Sequence, residues 1–413
     1  MVADCDAKIL FLDAEAFDLL ASAGPAASKL VALDSSSRAE ALDTWLAPPG
    51  AAPAAVRIDP DSAFNIIYSS GTTGVPKGIV HSHNMRWTQI RRPVLGLDTA
   101  AVSIVSTPLY SNTTLMPFFA TLCHGGTVVL MERFDAAGFL QLAKRHRATH
   151  AMLVPVQYQR IMALPDFDSY DLKSFVMKSS TGAPLSASLK ADILKRWPGG
   201  LTEFYGMTEG RGACILAAHL HPTKLDTVGK PGPGSDIRLI DDKGKEVPRG
   251  ESGEIVAHSA IIMNGYEKRP DQTIAAEWYD DSGKRFLRTG DIGRFDEDGF
   301  LTLIDRKKDM IISGGFNIYP SDLEAVLSKH EAILEAAVVG VPSDRWGETP
   351  VAFVVLRAGR ADRPDDIRDW LNGQVGKTQR LATVEIVPAL PRSGIGKVLK
   401  RELRDGYGDR SGR

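Results

Sequence analysis

The sequence predicts an α/β protein in which a large N-terminal domain, with parallel-rich sheets and a small β-rich subdomain, precedes a small α+β C-terminal domain. Three observations predict it. Short apolar runs rich in β-branched residues alternate with helical stretches through the first half of the chain, the pattern of βαβ units with helices on both faces of a parallel sheet. From about Leu220 to Ile304 the chain is dense in Gly, Pro and Asp with short strands, as in a small antiparallel or barrel-like subdomain. After Asp305 the charge balance reverses: residues 306–413 hold 18 Lys/Arg against 15 Asp/Glu, in a chain of 413 residues with net charge −2.

The strands expected, in order, are Lys8–Leu12, Phe64–Tyr68, Val102–Ser106, Thr127–Leu130, Thr149–Val154 and Ser174–Lys178. Helices are expected at Leu115–His124, Asp135–Arg147 and Pro155–Leu164, between the last four strands, and at Ser186–Trp197 after them. Glu254–His258 and Phe300–Ile304 read as strands of the subdomain. In the last segment, Ser321 with Glu324 reads as a capping box after Pro320, opening a helix with the stripe Leu323, Val326 and Leu327. Ala336–Val341, Val351–Leu356 and Thr383–Val387 read as strands and Asp366–Leu371 as a helix, a domain large enough to fold alone. The domains expected are therefore 1–305 and 306–413, and the Ala/Pro segment Ala47–Ala55 reads as a surface linker.

Composition narrows the function. With 43% apolar and 24% charged residues the chain is neither disordered nor fibrous. The near balance of 49 basic and 51 acidic residues provides no field to hold nucleic acid or a membrane surface. Cys5, Cys123 and Cys214 are far apart and odd in number, which fits no disulfide framework or CxxC pair and favours a cytoplasmic setting. No apolar run reaches the ~18 residues of a membrane span, and Met1–Leu12, with Asp4 and Asp6, does not read as a signal peptide.

The strongest local signal runs from Tyr68 to Gly78, after an apolar strand. Ser69, Ser70, Gly71, Thr72, Thr73, Gly74 and Lys77 place two glycines, four hydroxyls and a cation within nine positions. Glycines let backbone N–H groups converge, hydroxyls add donors and the lysine adds charge, a combination suited to a polyphosphate. It is not a Walker A loop, because Gly78 stands where Ser or Thr should follow the lysine. His81-x-His83 and His219-x-His221 have spacings a metal site could use, but no Cys or carboxylate cluster joins them, and zinc is not expected.

Four further motifs follow in order: Tyr205-Gly-Met-Thr-Glu209; Arg288-Thr-Gly-Asp291; Arg306-Lys-Lys-Asp309 with Ser313-Gly-Gly-Phe-Asn317; and Pro391-Arg-Ser-Gly-Ile-Gly-Lys397. With the phosphate loop, this series resembles the adenylate-forming superfamily of acyl- and aryl-CoA synthetases, luciferases and peptide-synthetase adenylation domains. The resemblance covers residues 68 to 397 and implies the fold of those enzymes. It also implies a two-step reaction: a carboxylate attacks the α-phosphorus of Mg-ATP to give an acyl-adenylate, and a thiol then displaces AMP. Both steps crowd negative charge on oxygens, which calls for cations and oriented donors.

By resemblance, Ser69 to Lys77 would hold the β- and γ-phosphates. Thr208 would contact the α-phosphate, and Glu209 would hold Mg²⁺ through a hard oxygen ligand. Tyr205 would lie against the adenine, the Gly182-Ala183-Pro184 turn would line the base site, and Asp291 and Arg306 would reach the ribose. Lys397 would bridge the carboxylate and the α-phosphate, and Gly314, Gly315 and Phe316 would line a pantetheine channel after the C-terminal domain swings about a hinge at Lys308. The acid pocket would draw on Tyr110, Ser111, Asn112, Gly206 and Met207. Standing alone, Glu209 or Asp291 would read as a solvated carboxylate and Tyr205 as core; order and spacing reverse those readings.

Two departures matter. The phosphate loop begins at residue 68, so the usual front segment of the first domain is expected to be missing, which predicts poor solubility or a covering partner. Pro108-Leu-Tyr-Ser111 has serine where the family often has histidine, so no histidine is expected beside the carboxylate. Between Ser103 and Met131 there is no Asp or Glu to pair with an α-ammonium, which argues against an amino acid substrate. The expected function is an AMP-forming carboxylic acid–CoA ligase acting on a medium- or long-chain fatty acid or an aryl acid, using ATP, Mg²⁺ and coenzyme A, with a homodimer left open. The alternatives are an adenylating enzyme that delivers to a carrier protein or stops at the adenylate, and a truncated nucleotide-binding remnant.

Overall fold

The computed structural model describes residues 1–20, 29–35, 38–69, 76–393 and 396–411. They form two compact units, residues 1–89 with 261–276 and residues 90–260 with 277–413.

The second unit is built on a parallel sheet. Strands β1 (Val102–Val105), β2 (Thr127–Leu130), β3 (His150–Leu153), β4 (Met177–Thr181) and β5 (Gly200–Gly206) are mutually parallel, and β6 (Ala213–Ala217) and β7 (Lys230–Pro231) extend the sheet antiparallel. The order is β7-β6-β5-β4-β3-β1-β2. Helices α1 (Asn112–Cys123), α2 (Ala136–His146), α3 (Pro155–Met162) and α4 (Ala187–Arg196) make the crossovers. On one face α2, α3 and α4 bury Phe139, Tyr158, Ile193 and Trp197. The indole of Trp197 meets the rings of Phe139, Tyr158, Phe167 and Phe175 edge-on at 5.1–6.0 Å. On the other face Ala120 of α1 packs with Met152 and Phe204. One expected strand shifts: Ser174–Lys178 is observed as Met177–Thr181, because Leu172 and Phe175 turn into the core beside Trp197 before the strand begins.

The Gly/Pro-rich segment resolves the barrel-or-sheet alternative in favour of an open antiparallel sheet. Strands β8 (Ser235–Ile240), β9 (Ser252–Ser259), β10 (Glu277–Tyr279), β11 (Arg285–Phe295) and β12 (Leu301–Arg306) run in the order β8-β9-β11-β10, with β12 on β11. The register sets Asp291 opposite Arg306. The C-terminal segment adds β13 (Ile311–Ser313), β14 (Phe316–Ile318), β15 (Ile333–Ser343), β16 (Gly347–Leu356) and β17 (Thr383–Ile386), with helices α5 (Pro320–Leu327) and α6 (Pro364–Asn372) on a core of Leu323, Leu327, Val338, Val354, Ile367 and Leu371. The expected capping box does not form. Pro320 takes the first helical position, the Ser321 N–H donates to Asp305 Oδ2 at 2.8 Å, and Glu324 instead accepts from the Val338 N–H and pairs with Lys400, both at 2.7 Å.

In the first unit, Ala63–Ser69 and Lys77–Ser82 form an antiparallel pair with Gly265–Tyr266 as a third strand. A separate three-stranded parallel sheet holds Ile9–Leu12. Ala47–Ala55 is exposed and carries no regular structure. Among the described residues no helix is long and apolar enough to cross a membrane.

Candidate functional site

The phosphate motif is the connection of the first unit's hairpin, with Ser69 and Lys77 paired across its base. Ser70, Gly71, Thr72, Thr73 and Gly74 lie outside the described residues. The Lys77 ammonium sits 5.0 Å from the ring centre of Tyr266, a cation–π contact that fixes the root of the loop. Gly78 is required by close approach, since a Cβ there would come within 2.8 Å of Ile66 Cγ2.

In the second unit, residues far apart in sequence meet at Asp291, which is buried at 7% exposure. Tyr205, at the end of β5, donates its hydroxyl to Asp291 Oδ2 at 2.8 Å, and Arg306 Nε lies 2.6 Å from Oδ1. The Asp291 N–H donates to Thr289 Oγ1 at 3.0 Å, and the Thr289 hydroxyl donates to the Ile255 carbonyl at 2.8 Å. Burial and the adjacent carboxylate push the Tyr205 hydroxyl well above its ordinary range, so it remains a donor. Each carboxylate oxygen has two lone pairs, so Asp291 can still accept from a ligand hydroxyl. The Gly182-Ala183-Pro184 turn follows β4, with Gly182 at φ +89°, and the next residue, Leu185, donates its N–H to Glu203 Oε1 at 2.9 Å.

Thr208 and Glu209 follow β5 in a tight turn closed by the Gly210 N–H on the Met207 carbonyl at 2.9 Å. Glu209 is buried and bonded through Oε1 to Arg211 Nη2 at 2.9 Å, while Arg211 Nη1 donates to the Arg288 carbonyl. Arg211 therefore ties the Glu209 turn to the strand bearing Asp291. Nothing in the residue spacing announced it, except that an arginine two positions from a motif glutamate is well placed to pair.

Lys397 ends a turn in which Ser393 N–H donates to the Lys397 carbonyl and Gly396 N–H to the Ser393 carbonyl, both at 2.8 Å; Gly394 and Ile395 lie outside the described residues. Arg392 braces the turn through the Gly396 carbonyl at 2.7 Å and an ion pair with Glu335 at 2.9 Å. Gly396 has φ +79°, and a Cβ there would come 2.5 Å from Val156 Cγ1, so the turn rests directly on the first turn of α3. Lys397 keeps solvent access, yet the crowding around its ammonium and the charges of Arg306 and Lys308 push its pKa down to about 8, against the pull of Asp291 and Asp309. Lys397 thus shares the electrostatic neighbourhood of Asp291 and Arg306.

Beside this turn lies a cleft of about 750 Å³. It sits at the carboxyl ends of β1, β2 and β3, where the connections leaving the neighbours β1 and β3 run in opposite directions, the usual ligand position in an α/β sheet. Leu109, Leu130, Met131, Phe134, Val154 and Val156 supply its apolar wall, and Arg133, Arg160, Arg392 and Ser393 its polar rim. The lining stops short of Tyr110, which is exposed; Ser111 is buried as the N-cap of α1, accepting from the Thr113 N–H at 3.3 Å. Asn112 is the first residue of α1, Gly206 ends β5, and Met207 follows it half-buried. Leu130 to Phe134 were not picked from the sequence, because a strand end followed by Asp135, the N-cap of α2, reads as a turn.

Gly314 and Gly315, at φ +56° and +83°, form the β13–β14 turn, and Phe316 beside them is exposed. Among the described residues no hydrogen bond or ion pair joins this turn to Tyr205, Asp291, Arg306 or Lys397. Trp346-Gly-Glu348 supports it: the Trp346 carbonyl accepts from the Gly314 N–H and Glu348 from the Ile312 N–H, both at 2.8 Å. Lys308 is exposed in a single turn whose neighbour Lys307 is anchored on Asp242 and Glu254 at 2.9 and 3.1 Å. Among the histidines, His81 is buried with Nδ1 2.9 Å from Arg86 Nη2, and His219 Nδ1 lies 3.1 Å from the Leu201 carbonyl.

The family model described as AMP-binding enzyme matches residues 1–267, and that of the AMP-binding enzyme C-terminal domain matches residues 322–397. The chain is similar to 4-coumarate–CoA ligase-like 9 of Oryza sativa subsp. japonica, 37% identical over 362 residues, covering 82% of this chain and 63% of the relative. It is likewise 37% identical to a feruloyl-CoA synthase of an Amycolatopsis species over 354 residues, covering 84% and 70%. The chain thus spans about two thirds of the length of these curated relatives. Among solved structures, ATP-bound MatB from Rhodopseudomonas palustris superposes with TM-score 0.89 at 30% identity, covering 99% of this chain and 80% of that one.

Proposed function

The chain belongs to the AMP-binding enzymes, and on that premise we propose that it is an AMP-forming carboxylic acid–CoA ligase of the cytoplasm, activating an aryl acid or a medium- to long-chain fatty acid. The observation that carries the reading is the meeting of Tyr205 and Arg306 at the buried carboxylate of Asp291, whose charge also reaches Lys397. The two curated relatives carry aryl-acid names, which puts aryl acids first; the aliphatic wall of the cleft keeps a fatty chain as the second candidate.

Asp291, held rigid by Tyr205 and Arg306, accepts the ribose hydroxyls, and Tyr205 and the Gly182–Pro184 turn take the base. The hairpin from Ser69 to Lys77 takes the β- and γ-phosphates, and Thr208 donates to the α-phosphate. Lys397 lies between the carboxylate and the α-phosphate and offsets the repulsion of two anions as the acyl–oxygen–phosphorus bond forms and pyrophosphate leaves. Glu209 would hold Mg²⁺: it is a buried carboxylate, a hard oxygen ligand, and this ion is commonly held by one or two carboxylates with substrate phosphates. When bound, Mg²⁺ neutralises phosphate charge. For the thiol step, the segment 306–413 turns about Lys308 against 1–305, and Gly314 to Phe316 line the path of the pantetheine arm.

Incubating the protein with Mg-ATP, coenzyme A and a panel of aryl, fatty and amino acids, with mass spectrometry of the products, tests the reading. Acyl-CoA and AMP are expected from an aryl or fatty acid. Adenylate without acyl-CoA would point to another acceptor, and nucleotide binding without pyrophosphate release would point to a binding remnant.

A further inference from the structure

Beneath the base side of the site lies a pair of charges with no part in the chemistry. Lys190 of α4 and Glu203 of β5 form an ion pair in which each side chain is 2% exposed. Both partners also bind backbone. Glu203 Oε1 accepts the Leu185 N–H at 2.9 Å, immediately after the Gly182-Ala183-Pro184 turn. Lys190 Nζ donates to the carbonyls of Leu225 and Thr227 at 2.8 and 2.9 Å. Glu203 also stands two residues before Tyr205 on the same strand. Burial raises the carboxyl's pKa against the pull of Lys190.

A buried ion pair is weak ground for stability, since well-packed apolar replacements of the whole pair are often neutral or better. The Leu185 N–H is different: an apolar side chain cannot accept from it, and an unpaired buried donor is costly. We infer that Glu203, held by Lys190, is a positioning residue that fixes the Gly182–Pro184 turn against β5, so that the turn and Tyr205 form a preformed wall for the adenine base. The inference rests on the ligase reading only in assigning that turn to the base.

The test is the double variant E203L/K190M, compared with the wild type by thermal unfolding and by calorimetric titration with ATP and with GTP. The expected result is a melting temperature within a few degrees of wild type, the unpaired Leu185 N–H offsetting what the apolar pair gains, an ATP Kd raised about tenfold, and reduced preference for ATP over GTP. A stable double variant that binds ATP as the wild type does would overturn the inference, since the pair would then be packing alone. If the double variant does not fold, E203D keeps the charge for Lys190 but withdraws the oxygen from Leu185. A severalfold weaker ATP affinity at near-wild-type melting temperature supports positioning, and unchanged affinity overturns it. Wild-type protein that binds ATP but releases no pyrophosphate with any acid would remove the ligase reading, while the binding comparison still decides the role of Glu203.

Discussion

The two sides of the nucleotide site are built on opposite plans. On the base side every anchor is a strand: Tyr205 on β5, Asp291 on β11 and Arg306 on β12 meet at a buried carboxylate, with Glu203 and Lys190 sealed beneath. On the lysine side, Lys397 stands on a turn held by Arg392 and by the contact of Gly396 with Val156. The difference separates two duties. On the proposed roles, the groups that would hold the base and ribose sit on strands of the sheets, and the lysine that would serve adenylation sits on a turn.

The largest effect follows from cutting each side in turn. Lys397→Ala removes the cation between two anions and should lower adenylation, read as acid-dependent pyrophosphate exchange, by at least 10²–10³-fold, with the melting temperature unmoved. Asp291→Ala strips Arg306 and Tyr205 of a buried acceptor. It should weaken ATP binding and also cost about 1–3 kcal/mol of stability, the penalty for leaving the Tyr205 hydroxyl and the Arg306 guanidinium without their acceptor. Equal losses of melting temperature in the two variants would break the contrast between a detachable and a built-in side.

Next in size is the hinge. Lys308→Pro should leave adenylation within a few-fold of wild type and slow thioester formation from preformed adenylate by tenfold or more, since proline fixes φ where the swing needs freedom. Equal loss of both half-reactions would move the hinge elsewhere.

The depressed pKa of Lys397 sharpens the same comparison. In its proposed role the lysine acts as a cation, so adenylation should be supported below about pH 8 and lost as the pH rises through that value. The alkaline limb of kcat/KM, which reports the free enzyme, should fall tenfold per pH unit above about 8. Lys397→Arg stays charged and, at whatever reduced rate, should show no such limb. A limb that persists in the arginine variant assigns the titration to another group.

The motifs made most of the proposed chemistry legible, because backbone turns and charged donors leave short local signatures, as in Pro391–Lys397. The pairings that make the site rigid left none. Tyr205 and Asp291 are 86 positions apart and neither announces the other. Glu203 sits between Thr202 and Phe204 in β5, a strand absent from those expected from the sequence, and only the sheet's cover by α4 puts its charge inside. Ser321 with Glu324 shows the reverse error: the local pattern was present, but tertiary partners, Asp305 and Val338, outcompeted it. Ser111 reads in sequence as a lost histidine and is in the fold a helix cap.

The smallest expected effect separates two lysines with neighbouring pKa values. Lys178, fully buried in β4, donates to the carbonyls of Trp197, Pro198 and Gly199 at 3.2, 2.7 and 2.9 Å, and burial without a carboxylate partner lowers its pKa to about 7. Unfolded, it titrates near 10.5. Between those values the unfolded chain holds a proton that the folded one lacks, so this group makes stability rise with pH from about 7 towards 10, by at most about 1.4 kcal/mol per unit. Lys178→Met should remove that slope, read as the urea midpoint at pH 7 and pH 9 relative to wild type, while leaving the alkaline limb of activity near pH 8 in place. Parallel midpoints in the two proteins would mean that Lys178 stays charged in the fold. A shifted activity limb would mean that the wall beneath the base and the lysine turn are electrically one site, and the division between them would fail.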